Sequence, residues 1–204
     1  MIMSGIVTFT TDFGTKDPYA GVMKGMVLTA NLDARIVDIT NEVPGHDIVH
    51  AAFIIARSYE FFPAGTVHVV VVDPEVGEKR KNIAILTKRF VFVGPDNGTF
   101  TMVLQKEKTI EIREIVNPPF VANRISNTFH GRDVFAPCAG HLSAGRLFAD
   151  VGPLFPAIRP LRYPRAVHAD NLLTGEVIAA DSFGNLITNI PEHSFRSFVG
   201  KRRH

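Results

Sequence analysis

The chain switches repeatedly between two hydrophobic periods. The stretch "GIVTFTTD" (5–12) alternates as a strand does, while "PYAGVMKGMVLTAN" (18–31) spaces Tyr19, Val22, Met23, Met26 and Val27 for one face of a helix. Pro18 suits the first helical turn, and Asp17 is placed to cap it. A second strand is predicted by "RIVDIT" (35–40), and a long apolar-faced helix by "HDIVHAAFIIARSYEFF" (46–62). "GTVHVVVVDP" (65–74) is an almost unbroken β-branched run, as expected for a strand covered on both faces. "NIAILTK" and "RFVFVGPD" then predict a hairpin or adjacent strands, "TFTMVLQKE" a short helix, "TIEIREIV" a strand and "NPPF" a loop. The segment 128–145 opens polar and turns helical, with Asp133 near the helix start.

Strand-helix-strand order of this kind predicts an α/β fold, with a mainly parallel sheet flanked by helices in its N-terminal part. Asp12, Asp73 and Asp96 each fall where a predicted strand ends. Ligands of open α/β sheets bind outside the carboxyl ends of the strands, and unpaired buried carboxylates are costly. The three are therefore expected to converge on a ligand. Pro153, Pro156, Pro160 and Pro164 mark a linker. The predicted organisation is an α/β domain over 1–152, a Pro-rich linker over 153–166 and a smaller β domain over 167–204. That last part reads as incomplete; "GEVIAADSFGNLITNI" supplies its strands and a turn at Phe183-Gly184-Asn185.

Composition narrows the function classes. The 204 residues are 46% apolar with a net charge of +2, too small and too scattered for a nucleic-acid binder. The one basic run, Lys201-Arg202-Arg203-His204, is expected to be a solvated tail. A single cysteine, Cys138, excludes an internal disulfide and a cysteine-cluster metal site, and its apolar neighbours predict a buried, inert thiol. With no signal-peptide pattern and no apolar run of about 20 residues, the expectation is a soluble cytoplasmic protein without membrane contact.

Asp12-Phe13-Gly14 spells the metal-binding triplet of protein kinases, but no glycine-rich loop or lysine strand precedes it. A carboxylate at a strand end followed by glycine can instead accept hydrogen bonds from the vicinal hydroxyls of a ribose; capping the turn is the alternative. No GxGxxG or Walker lysine is present. Arg80 lies seven residues after Asp73 across a turn and can fold back to pair with it, at the surface or in a site. His130, beside glycine and polar neighbours, suits ordering or deprotonating water, or a plain loop role. His50 and His141 lack metal-ligand spacing and read as packing or surface residues.

Together, "TTDFGTKDPYAGVMKG", "VVVVDPEVGEKR", "VGPDNG", "TFHGRDVFAP" and "DSFGNLITNI" resemble, in order and spacing, the S-adenosyl-L-methionine (SAM) hydroxide adenosyltransferases, relatives of the fluorinases and chlorinases. The resemblance runs from about residue 6 to residue 190. It implies hydrolysis of SAM to adenosine and methionine by water or hydroxide at ribose C5′, in a homotrimer with sites between subunits and with neither cofactor nor metal. It also implies that Asp73, Arg80 and His130 position or activate the water. Asp12 would grip the ribose, and Asp17 and Asp181 would lie near the methionine ammonium. Phe183 and Asn185 would contact the adenosyl group. Glu75 stands where the family pattern has glycine, and that pattern runs some tens of residues further than this chain. These two departures support a second reading, a SAM- or adenosine-binding protein with weak or no turnover.

Overall fold

The computed structural model describes residues 2–200; the basic run 201–204 lies outside the described residues. Two compact units divide the chain, one extending to Leu161 and the other beginning at Arg162.

The first unit is built on six strands: β1 (Ile6–Thr11), β2 (Arg35–Thr40), β3 (Val67–Val71), β4 (Asn82–Thr87), β5 (Val91–Pro95) and β6 (Thr109–Glu114). Their spatial order is β2-β1-β3-β5-β4-β6. Neighbours from β2 to β5 pair in parallel, whereas β4 runs antiparallel to both β5 and β6. The helices are α1 (Tyr19–Ala30), α2 (Ile48–Ser58), α3 (Thr101–Leu104) and α4 (Ala136–Ser143), the last entered through a π-turn over Gly131–Phe135.

Strand alternation divides the core between the two faces of the sheet. Val67, Val69, Val71, Val91 and Val93 pack with Met23 and Val27 of α1 and with Cys138, Ala139 and Leu142 of α4. Val70, Val72, Ile83, Ile85, Phe90 and Phe92 pack with Ala51 and Ile55 of α2 and with Phe100 and Val103 around α3. Every residue of β3 is buried, which accounts for the near-continuous valine run: a strand covered on both faces has no polar side to show. Each of its valines contributes about 1.5–3 kcal/mol by burial. Cys138 sits in this core, and burial pushes its thiol well above the usual range, so the thiol stays neutral. None of the helices among the described residues is long and apolar enough to cross a membrane.

One helix start differs from the sequence expectation. The cap of α1 falls on Pro18 itself, with no side-chain cap hydrogen bond, and Asp17 is an exposed turn residue. The fixed φ of proline already suits helix entry, so the turn needs no carboxylate. By contrast, Asp47 does cap α2, accepting a hydrogen bond from the His50 backbone N–H at 2.9 Å.

In the second unit, β7 (Val167–Ala169) pairs with β8 (Leu172–Thr174), β9 (Val177–Ala180) pairs with β10 (Leu186–Thr188), and α5 (Glu192–Gly200) follows. The β9–β10 turn is closed by Asp181. Its Oδ1 accepts the N–H groups of Phe183 and Asn185, and its Oδ2 accepts the Asn185 amide at 2.7 Å. Those bonds, led by the Asn185 side chain, hold the Asp181 carboxyl below its usual range.

His68 is a polar residue in the core. It is fully buried among Tyr59, Phe90 and Phe92, with Nδ1 2.8 Å from the Thr8 hydroxyl and Nε2 without a partner. Burial lowers its pKa to about 3. An unfolded chain binds a proton there below about pH 6.5, and the folded chain does not, so stability present at neutral pH is lost as pH falls. Urea unfolding should therefore show roughly 1.4 kcal/mol lost per pH unit below about 6.5 from this group. The slope should flatten in His68→Phe; an unchanged slope would assign the acid sensitivity elsewhere.

Candidate active site

The sheet order brings one edge of the first unit into focus. In parallel neighbours the carboxyl ends lie side by side, so the loops after β1, β2 and β3 adjoin. Because β4 runs backwards, its beginning reaches the same edge, with Asn82 opposite Pro95 at the end of β5. Asp73, just past β3, and Arg80, just before β4, are thereby presented together across a short turn.

The pairing is bidentate and buried. Arg80 Nε donates to Asp73 Oδ1 at 3.0 Å and Nη2 donates to Oδ2 at 2.5 Å, with the side chains 1% and 5% exposed. Nη1 donates to Asn82 Oδ1, and the guanidinium carbon lies 5.7 Å from the centre of the Phe135 ring. The turn closes tightly at Gly77, whose φ is +80° and where a Cβ would meet the Asn127 carbonyl oxygen at 2.2 Å.

His130 joins this pair from the chain just before α4, with Nδ1 2.8 Å from Arg80 Nη2. Arginine has only donors, so His130 Nδ1 accepts and the ring is the Nε2–H tautomer. Burial lowers the His130 pKa and the Arg80 charge lowers it further, outweighing the opposite pull of Asp73 and Asp133. Asp133 is itself anchored: burial raises its pKa, but hydrogen bonds from Arg132 and the Ser126 N–H bring it below the usual range.

Asp12, Asp73 and His130 line a cavity of about 300 Å³. Asp12 Oδ2 accepts the His46 backbone N–H at 2.9 Å, while Oδ1 has no hydrogen-bond partner among the described residues. Phe13, Tyr19 and Phe129 form an aromatic wall, with ring centres 5.3 to 5.9 Å apart. Gly131 lets the wall close, since a Cβ there would come within 2.9 Å of Met23 Sδ and 3.2 Å of the Phe129 ring. Sequence reasoning passed over the wall and His46. The available signal was adjacency: Phe13 follows Asp12 and Phe129 precedes His130.

Asp17 is exposed and is not part of the cavity lining. Asp96 does not converge with Asp12 and Asp73, a correction to the sequence expectation. Its Oδ1 accepts the Arg159 N–H at 2.7 Å, and burial raises its pKa. Glu75 is also outside the cavity lining, with both carboxylate oxygens 2.9 and 3.0 Å from Arg159 Nη1. Asp181, Phe183 and Asn185 belong to the second unit, where Phe183 is 90% exposed. Among the described residues, no three His, Cys, Asp or Glu side chains group as metal ligands.

Fold and edge together define an α/β protein of the kind that takes its ligand outside the carboxyl ends of parallel strands. Residues 7–152 match the SAM hydroxide adenosyltransferase N-terminal domain, and the chain belongs to that family. It is 37% identical to an (R)-S-adenosyl-L-methionine hydrolase of Salinispora arenicola, the match covering 88% of this chain and 70% of the relative. A fluorinase of Actinopolyspora mzabensis is 27% identical, with 94% and 73% covered. The crystal structure of an uncharacterized conserved protein from Thermotoga maritima superposes with a TM-score of 0.90 at 40% identity, covering 95% of this chain and 74% of that one.

The two ion pairs differ in burial, and so should the cost of breaking them. Arg80→Ala strands a buried carboxylate and is expected to cost about 3–5 kcal/mol in urea unfolding. Arg159→Ala removes a partner that is 56% exposed and should cost about 1 kcal/mol or less. Equal losses would contradict the burial assigned here.

Proposed function

We propose that this chain is a SAM hydrolase, forming adenosine and L-methionine. The observation that carries the reading is an aromatic-walled cavity lined by Asp12, Asp73 and His130, with Arg80 bonded to both Asp73 and His130 behind it, in a chain 37% identical to an (R)-SAM hydrolase. Following that relative's name, the substrate is the R epimer at sulfur.

The chemistry asks little of acid catalysis. Water oxygen bonds to ribose C5′ as the C5′–S bond breaks; the electron pair goes to sulfur, the sulfonium leaves as the neutral thioether of methionine, and one proton passes to solvent. What the protein supplies is an aligned nucleophile in a partly desolvated site. Arg80 carries a fixed positive charge that favours hydroxide beside it, and Asp73 holds the guanidinium in place. With Nδ1 occupied by Arg80, His130 offers its Nε2–H and so orients the water as a donor. Asp12 accepts the ribose hydroxyls, and the wall of Phe13, Tyr19 and Phe129 faces the cationic sulfonium.

In this reading the enzyme works as a cytoplasmic homotrimer without cofactor or metal. The support is exposure: Tyr19 is 46% exposed at the cavity wall, and Phe183 is bare enough to meet an adenosyl group held by another subunit. Asp17 and Asp181 would then serve the methionine end, and Asn185 the nucleoside.

Turnover is read by chromatography of adenosine from each SAM epimer. The R epimer should give adenosine well above the S epimer and the buffer control; no adenosine from folded protein would overturn the assignment. Arg80→Lys and His130→Ala should lower kcat about 10²-fold or more with smaller changes in KM. Activity needs neutral His130, whose pKa burial and the Arg80 charge hold below the ordinary imidazole value, so the acid limb of kcat/KM should lie on the acid side of an ordinary histidine titration. An acid limb on the alkaline side of an ordinary histidine titration would remove His130 from this role.

A further inference from the structure

His46 carries an unusual backbone for its position. It is one of two non-glycine residues with positive φ among the described residues, at +65°, and it lies on the cavity. Left-handed backbone outside glycine is uncommon and persists where the surroundings over-determine it. Here they do: the Asp47 N–H bonds the Pro44 carbonyl, the Ile48 N–H bonds the His46 carbonyl, and Asp47 caps α2 immediately afterwards. On the other side, Val43 N–H bonds the Thr11 carbonyl and Gly14 N–H bonds the Asn41 carbonyl, tying this loop to the end of β1.

The product of that geometry is one aimed N–H. It reaches Asp12 Oδ2 at 2.9 Å, while the His46 ring stays 74% exposed with Nδ1 3.9 Å from the same oxygen, beyond hydrogen-bonding distance. Asp12 is only 10% exposed in its side chain. Among the described residues no other hydrogen bond holds this carboxylate, so without that donor it is free to rotate about χ2.

We propose that His46 is a positioning residue that acts through Asp12. Its main-chain N–H, directed by the left-handed backbone, fixes Oδ2 and leaves Oδ1 as the acceptor offered to the ribose hydroxyls. The imidazole itself is not the working group; the conformation is. The inference rests on the reading above that Asp12 holds a ribose.

Adenosine titration by calorimetry, with SAM kinetics alongside, tests it on the full chain. His46→Val disfavours positive φ while keeping the N–H, so its adenosine Kd and its KM should rise about tenfold, with kcat changed far less. His46→Gly adopts the same φ freely and should bind adenosine at least several-fold tighter than His46→Val. Val binding as tightly as the parent would overturn the inference, and so would Gly binding as weakly as Val, because the ring would then be responsible. Asp12→Asn separates the underlying reading: if it leaves adenosine affinity unchanged, Asp12 does not hold the ribose, whatever His46 does.

Discussion

The Arg80 guanidinium is the contact on which the site turns. It satisfies both oxygens of Asp73, the Asn82 amide oxygen and one nitrogen of His130, all with side-chain exposure of 1%. A buried charge with so many acceptors cannot be exchanged for a weaker partner without stranding several of them. The same donor also decides the histidine tautomer. A site that sequence describes as three titratable residues is thus one fixed cation with its acceptors arranged around it.

Sheet topology makes that arrangement possible. Five strands point one way, and only the reversal of β4 returns the chain to the edge it has just left at β3. A helical crossover at this point would carry Arg80 to the far end of the sheet. Asp12, from β1, and the loop after β2 reach the same edge by ordinary parallel neighbourhood. The aromatic wall then completes the cavity from α1 and from the chain before α4.

Legibility in the sequence follows the range of the interactions. Strands β1 to β6 could be read because short runs of apolar and β-branched residues bounded by turns are a local signal, and the Asp73–Arg80 pair because seven residues across a turn bring the two within reach. The fate of Asp96 could not be read, since Arg159 lies 63 residues away. Neither could the cap of α1, where proline and aspartate compete for adjacent positions, nor the neutral His68 inside an aromatic cluster. "PGH" signals a turn, but only the fold shows that histidine rather than its glycine neighbour takes the left-handed conformation.

The sequence separations inside the site are themselves unequal. Asp73 to Arg80 spans seven residues, while Arg80 to His130 spans fifty. Closing the longer loop costs about 1.7 kcal/mol more chain entropy, by the logarithmic dependence of closure on length. The ion pair is therefore a local element closed by one short turn between β3 and β4, and the histidine is a guest recruited to it by the packing of α4 against α1 and the sheet. Sequence drift in that distant packing would unseat the imidazole first and leave the ion pair standing.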